Sequence, residues 1–225
     1  MKLVLTCEHG GNEIPEAYSA YFKNKDVLKT HRGFDLGVLD LFQTLKPLAD
    51  ASYFSTTSRL LVELNRSRHH KNLFSEFTKS LPRNEKAEII KTHYLPYRTA
   101  VENTIRTYIE NGDSVLHLSI HSFKPVLNNI RRNCDIGLLY DSQKKTEKQF
   151  CKQLKVQILR QEANLNIRFN YPYLGKADGF TTYLRKQSPT DYLGIEIEVN
   201  QKYANNSVMD LKLKQALYKA LKELD

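Results

Sequence analysis

Cysteine is scarce in this chain and poorly placed for crosslinking: Cys7, Cys134 and Cys151 are three in 225 residues, far apart and without C-x-x-C spacing. That excludes a disulfide framework and a cysteine zinc site, and it agrees with a reducing cytoplasm. Long apolar runs are missing as well. No window approaches the roughly 20 apolar residues needed to cross a bilayer, and the apolar stretch near the N-terminus, Leu3 to Leu5, is too short for a cleavable signal. The expectation is a cytoplasmic protein with no membrane segment. Absent too are a G-x-G-x-x-G or Walker A run, which leaves nucleotide cofactors without motif support. Without a G-x-S-x-G elbow, nothing aims Ser122 as a serine nucleophile.

Acidic residues are in deficit, 25 against 34 Lys and Arg, for a formal charge of +9. A basic surface attracts phosphates and other anions, but these cations are scattered. The densest groups, Lys144-Lys145 with Lys148 and Lys152, and Lys212, Lys214, Lys219 and Lys222, lie on helical patterns interleaved with Glu and Gln, as solvated helix faces do. A small anionic substrate therefore fits better than nucleic acid.

Strand-like and helical patterns alternate. Short, near-continuous apolar runs at Lys2–Cys7, Leu60–Leu64, Val115–His121, Ile136–Tyr140, Asn166–Phe169 and Tyr192–Val199 read as buried strands. Helical periodicity marks Val27–Leu45, Asn84–Glu110, Thr146–Gln161 and Val208–Leu224. This alternation predicts one α/β domain over residues 1–225, with helices on both faces of a mixed, largely parallel sheet. Residues 67–83, rich in His, Lys, Ser and Phe, read as a long loop or lid.

Chemistry collects where the strands end, which in open α/β sheets is where ligands bind. Lys2–Cys7 stops at Glu8-His-Gly-Gly-Asn-Glu13, Asn65 and Arg66 follow Leu64, His121 closes the third run, and Glu196 and Glu198 lie on the last. A catalytic zinc takes three protein ligands and leaves a position for water. His9 and His121 supply two, with Asp35 and Glu13 as alternatives for the third. His117 shares a strand face with His121 but stands about 13 Å from it, too far to grip the same ion, and reads as structural. Arg66 offers a planar fork for a substrate carboxylate, joined by Asn65, with Arg59 in support. Tyr97, Tyr171 and Tyr173 are candidate pocket hydroxyls. Cys7, despite His9 nearby, reads as a core thiol.

Eight blocks then resemble one known family: Cys7-Glu-His-Gly-Gly-Asn-Glu-Ile-Pro15, His31-Arg-Gly-Phe-Asp-Leu-Gly37, Ser58-Arg-Leu-Leu-Val-Glu-Leu-Asn-Arg66, His93-Tyr-Leu-Pro-Tyr97, His121-Ser-Phe-Lys-Pro125, Asp135-Ile-Gly-Leu-Leu-Tyr140, Asn170-Tyr-Pro-Tyr-Leu-Gly175 and Gly194-Ile-Glu-Ile197. In this order, over nearly the whole chain, they are similar to the N-formylglutamate amidohydrolases. The resemblance implies a fold shared with zinc-dependent exopeptidases and aspartoacylases. There a His and carboxylate pair, an Asn-Arg pair, a second His and a late Glu come in sequence, here His9, Asn65-Arg66, His121 and Glu196. Those relatives carry His-x-x-Glu, whereas Asn12 and Glu13 occupy the third and fourth positions here. The resemblance favours Asp35 as the carboxylate ligand, with Glu13 kept as the alternative.

The implied reaction is zinc-assisted hydrolysis of an N-acyl acidic amino acid, N-formyl-L-glutamate giving glutamate and formate. Glu196, between Ile195 and Ile197, is a partly desolvated carboxylate suited to carrying a proton from water to the leaving amine, and Glu198, about 6.6 Å further along the same face, is the fallback. Within the hydrolases, a zinc carboxypeptidase or another deacylase is the nearest rival. From another class, the rival is a non-enzymatic basic nucleic-acid-binding protein.

Overall fold

The computed structural model describes residues 1–224. The chain runs through β1 (Lys2–Cys7), α1 (Val38–Leu45), β2 (Ala51–Phe54), α2 (Arg83–Ile89), α3 (Leu95–Glu110) and β3 (Val115–Phe123). A small hairpin of β4 (Val126–Leu127) and β5 (Ile130–Arg131) precedes β6 (Ile136–Leu139), α4 (Lys145–Gln161), β7 (Ile167–Phe169), α5 (Phe180–Gln187) and β8 (Tyr192–Asn200). A second hairpin, β9 (Ala204–Asn205) and β10 (Val208–Met209), leads into α6 (Leu211–Lys222). Six strands form one sheet in the order β2-β1-β3-β8-β6-β7. All neighbours are parallel except β6 and β8. The expected mixed, largely parallel α/β architecture is therefore what the chain adopts.

Alternation along the two central strands gives the sheet two different faces. Leu116, Leu118 and Ile120 of β3 and Ile195, Ile197 and Val199 of β8 join Leu5 and Cys7 in the largest apolar cluster, together with side chains of α1, α4 and α6. The opposite face carries Val4, Val115 and Tyr192 with residues of α3 and α5, then becomes polar. In register on that face, Ser119 stands opposite Glu196 and His121 opposite Glu198. Helices cover both faces, but only one side is apolar along its whole length.

His117 is a structural residue of the polar side, held by the Thr6 hydroxyl at 2.8 Å and the Tyr192 hydroxyl at 2.7 Å. Burial pushes its pKa down to about 4. Cys7 is fully buried among apolar side chains, and desolvation holds its thiol well above the ordinary range.

Two local expectations fail and two elements go unforeseen. Leu60–Leu64 is a chain of turns rather than a strand: Ser58 Oγ donates to Gly33 O, Leu61 N–H donates to Ser58 O, and Glu63 N–H donates to Leu73 O. Its apolar side chains are buried in a second cluster with Tyr18, Phe22, Leu73 and Leu81, and a short apolar run cannot tell that burial from a sheet's. Val27–Leu45 is not one helix. A 3-10 turn covers Lys25–Lys29 and α1 starts only at Val38, because Gly33 is pressed against the Leu28 backbone and Gly37 takes φ +75. Edge strand β2 and helix α5 are both missed. By contrast α4 lies within a residue of its expected start, and α2 and α3 are joined by a π-helical turn, Ile90–Tyr94, ahead of Pro96. Helix α6 begins at Leu211, where Asp210 caps it by accepting from Leu213 N–H at 2.9 Å. Residues 67–83 bury Leu73, Thr78 and Leu81 and form a wall of the second cluster.

Glu147 of α4, fully buried, ties that helix to the sheet and to α5. It accepts from Arg185 Nε at 2.8 Å, Gly194 N–H at 3.0 Å and Asp141 N–H at 2.8 Å. Removing one partner of a buried pair strands the other charge, so Glu147→Ala is expected to lower unfolding free energy by about 3–5 kcal/mol, read from urea denaturation.

Candidate active site

The site forms where β1 and β3 end. Beyond Cys7 the chain turns sharply through Gly10 and Gly11. A Cβ at Gly11 would meet Thr56 O at 2.4 Å, so only glycine lets this loop lie against the segment after β2. The turn presents His9, whose carbonyl accepts from Asp35 N–H at 3.0 Å. Asp35 lies in the loop before α1 rather than on a helix. His121 comes from the polar face of β3. The two imidazoles stand 5.0 Å apart between centroids and turn Nδ1 toward the same atom, Asp35 Oδ2, at 3.3 Å for His9 and 3.1 Å for His121. One donor atom from each of the three lies within 4.8 Å of the others, and all three residues are buried.

The far nitrogen of each ring is held by a carboxylate. His9 Nε2 pairs with Glu63. His121 Nε2 lies 2.8 Å from Ser119 Oγ and 3.2 Å from Glu8 Oε2, and Ser119 donates to the same Glu8 oxygen at 2.7 Å. Such outer carboxylates fix ring orientation and raise the basicity of a ligating histidine. Burial opposes ionisation of Asp35, Glu63 and Glu8, yet neighbouring histidines, with Arg59 beside the first two, outweigh it and hold all three below the usual carboxylate range. Burial likewise opposes charge on the imidazoles. The surrounding acids outweigh it, raising His9 and lifting His121 well above the ordinary histidine value. Two imidazole nitrogens and a carboxylate oxygen, converging in an environment that demands positive charge, are a donor set suited to a divalent cation.

A cavity of about 180 Å³ opens over these three residues, small beside the roughly 300–1,000 Å³ that encloses drug-sized ligands. Arg66, Asn65 and Arg59 form part of its wall, and Glu196 and Glu198 another. Asn65 is fixed from both ends: its Oδ1 accepts from Phe180 N–H at 2.6 Å and its backbone N–H donates to Glu63 at 3.0 Å. The two glutamates differ. Glu196 accepts from the Thr181 hydroxyl at 2.6 Å, whereas Glu198 Oε2 is buried with no hydrogen-bond partner among the described residues. Desolvation pushes the Glu198 carboxyl up to about 7.

Two candidates fall away from the site. The exposed Glu13 accepts from the Thr56 hydroxyl at 2.8 Å; the turn that aims His9 inward carries Glu13 onto the strand-like bridge with Thr57, outside the group formed by His9, Asp35 and His121. Tyr97 does not line the cavity either. Its hydroxyl donates to Glu8 at 3.0 Å, so it stands behind His121. Glu8, Glu63, Ser119 and Thr181 are absent from the sequence-based set. Glu8 and Ser119 share a sheet face with His121, a signal available from alternation, but Glu63 was hidden by reading its segment as a strand.

The family model for N-formylglutamate amidohydrolase matches residues 1–204. The chain belongs to the N-formylglutamate amidohydrolase family. Among solved structures, gene product Atu2144 from Agrobacterium tumefaciens is 26% identical over 99% of this chain and 91% of that one, with a TM-score of 0.79. The N-formylglutamate amidohydrolase from Ralstonia eutropha JMP134 has the same fold at 16% identity, covering 100% of this chain and 92% of that one, with a TM-score of 0.73. No curated protein matches the sequence.

In this member of the amidohydrolase family the Asn65-Arg66 turn is held from behind by Arg98 of α3. The buried guanidinium donates to Leu64 O at 2.8 Å and sits 4.1 Å from the Phe180 ring centroid and 4.7 Å from that of Tyr183. It thus joins the loop bearing Arg66 to the start of α5, where Thr181 holds Glu196. Arg98→Met leaves the Leu64 carbonyl unsatisfied, so it should cost about 1–3 kcal/mol in urea denaturation.

Proposed function

We propose that this chain is a zinc-dependent amidohydrolase that removes the acyl group from a small N-acyl amino acid. N-formyl-L-glutamate is the reference substrate that the family name supplies. The observation that carries this reading is the convergence of His9, Asp35 and His121 beneath a small cavity that also holds Arg66 and a glutamate with a free oxygen. These three residues would hold the zinc, which when bound polarises a carbonyl and makes water acidic enough to attack near neutral pH.

The chain's own side chains supply the rest. Arg66 presents its guanidinium to the substrate carboxylate and so sets the distance from the scissile amide to the histidines. Asn65, locked by Phe180 N–H and Glu63, fixes the turn; its amide nitrogen lies 3.4 Å from His121 Nε2 and keeps a second N–H for substrate. Amide hydrolysis needs a proton taken from water and returned to the departing amine. We assign that transfer to Glu198. Support comes from its unpartnered, cavity-facing carboxylate, whereas Glu196, the residue first expected from the sequence, already accepts from Thr181. Glu198 collects the proton on its carboxylate and hands it to nitrogen as the C–N bond breaks; Glu196, held from behind by Thr181, forms the wall beside it.

Purified protein is expected to carry stoichiometric zinc, and His9→Ala with His121→Ala to lose it, as read by metal analysis. Protein that never takes up a divalent metal would refute the proposal, and tight, salt-dependent RNA binding in its place would favour the basic nucleic-acid-binding rival. Glu198→Gln should retain zinc while kcat falls about 10²–10⁴-fold, with a smaller loss for Glu196→Gln. The reverse order returns the proton transfer to Glu196. Arg66→Ala should act mainly on KM for carboxylate substrates.

A further inference from the structure

N-formyl-L-glutamate carries two carboxylates, and the hydrogen bonding of Arg66 limits it to one of them. Both N–H groups of its Nη1 are spent on backbone carbonyls, Asn65 O at 2.9 Å and Asp178 O at 2.7 Å. The edge formed by Nε and Nη2 remains for a single two-pronged contact. Arg66 follows Asn65, whose amide nitrogen lies 3.4 Å from His121 Nε2, so the carboxylate it meets is the one beside the scissile amide. Arg59, the other guanidinium of the wall, is matched within the chain: it donates to Asp35 Oδ1 at 3.1 Å and lies 2.6 Å from Glu63 Oε2. Those two acids also hold His9 and His121, so turning Arg59 toward a ligand would loosen the proposed zinc ligands. The carboxylate at the end of the substrate side chain needs a different donor.

Tyr173 supplies one. It lies in the loop before α5, lines the same cavity and is 45% exposed, as a residue at the rim is. Its hydroxyl oxygen accepts from Arg132 Nη1 at 3.1 Å, and its own proton has no acceptor among the described residues. A hydroxyl polarised by a cation on one side donates more strongly on the other. Arg132 is itself held in place: its backbone N–H donates to Pro125 O at 2.8 Å, and its guanidinium lies 5.1 Å from the Tyr173 ring centroid and 5.8 Å from that of Phe123. Among the described residues the arginine ion pairs are those of Arg32, Arg59, Arg106 and Arg185, so Arg132 has no acid of its own. Hydroxyl and guanidinium together form a positively charged donor pair at the mouth of the cavity.

We infer that Tyr173, backed by Arg132, is the specificity-determining residue for a second substrate carboxylate. Arg66 holds the α-carboxylate beside the amide, and the Tyr173 hydroxyl donates to the carboxylate that ends the side chain. The inference rests on the amidohydrolase reading of the site and deepens it by assigning the residues that select an acidic side chain.

The test measures kcat and KM for N-formyl-L-glutamate and N-formyl-L-glutamine on the zinc-loaded protein. The two compounds share the α-carboxylate and differ almost only in side-chain charge. The expected kcat/KM for glutamate exceeds that for glutamine at least about tenfold, the scale of one hydrogen bond to a charged group. Tyr173→Phe, at an exposed position, keeps the ring and removes the hydroxyl. It should raise KM for glutamate about tenfold with kcat little changed, and cost the glutamine compound, which loses only a neutral hydrogen bond, about threefold or less. Arg132→Met should narrow the glutamate-to-glutamine ratio in the same direction by about fivefold. Because the two residues act as a pair, the double variant should lose less than the product of the single losses. Arg66→Ala is the contrast, raising KM for both compounds alike. Glutamine hydrolysed as well as glutamate, or a ratio that Tyr173→Phe leaves unchanged, overturns the role of Tyr173 and leaves the amidohydrolase reading intact. If neither compound is hydrolysed, nor bound by Glu198→Gln protein in calorimetry, both fall.

Discussion

Burying carboxylates without leaving them uncompensated is the constraint on which this site depends. Asp35, Glu63 and Glu8 lie at the end of an otherwise apolar sheet, where an isolated ionised carboxylate would cost many kcal/mol (on the order of ten or more). They are tolerated because each shares a histidine: Asp35 meets both rings, Glu63 the outer nitrogen of His9, and Glu8 the outer nitrogen of His121. Arg59 then completes the arrangement from the Asp35 and Glu63 side. The result is a connected set in which no member can be exchanged for an apolar residue without stranding its neighbour.

The sheet makes this possible by dividing labour between its faces. The apolar side chains of β3 and β8 pack beneath α1, α4 and α6, and on the other face the apolar contacts with α3 and α5 gather around Val4, Val115 and Tyr192, away from the carboxyl ends of the strands. That face is then free to carry Ser119, His121, Glu196 and Glu198 in adjacent register. Parallel pairing of β1, β3 and β8 brings their carboxyl ends to the same edge, which is how residues far apart in the chain come to line a single cavity.

Much of this was legible in the sequence. Where a strand gives way to polar chemistry, at its end as from Cys7 to His9 or near it as at His121 of β3, which runs on to Phe123, apolar patterning and the abrupt change of residue type reveal both the element and its polar tip. The separation along a strand correctly set His117 apart from His121. Legibility failed where burial came from irregular packing. Leu60–Leu64 is apolar because loops enclose it, so its turns, and the role of Glu63, left no periodic trace. Edge strand β2 is half exposed and short, and α5 buries Thr181 and Arg185 alongside Phe180 and Leu184, which blurs its apolar stripe. The distinction between Glu196 and Glu198 depends on Thr181, a contact across the chain that neither residue's neighbours encode.

The position of Asp35 has a mechanical consequence. Its loop leads directly through Gly37 into α1, which packs on the apolar side of the sheet, while His121 projects from the other side. An ion gripped by this trio would therefore fasten the two layers together across the rim of the sheet. Because a ligand that binds only the native state shifts the folding equilibrium by mass action, cation supply would govern the rigidity of the whole scaffold as well as its chemistry.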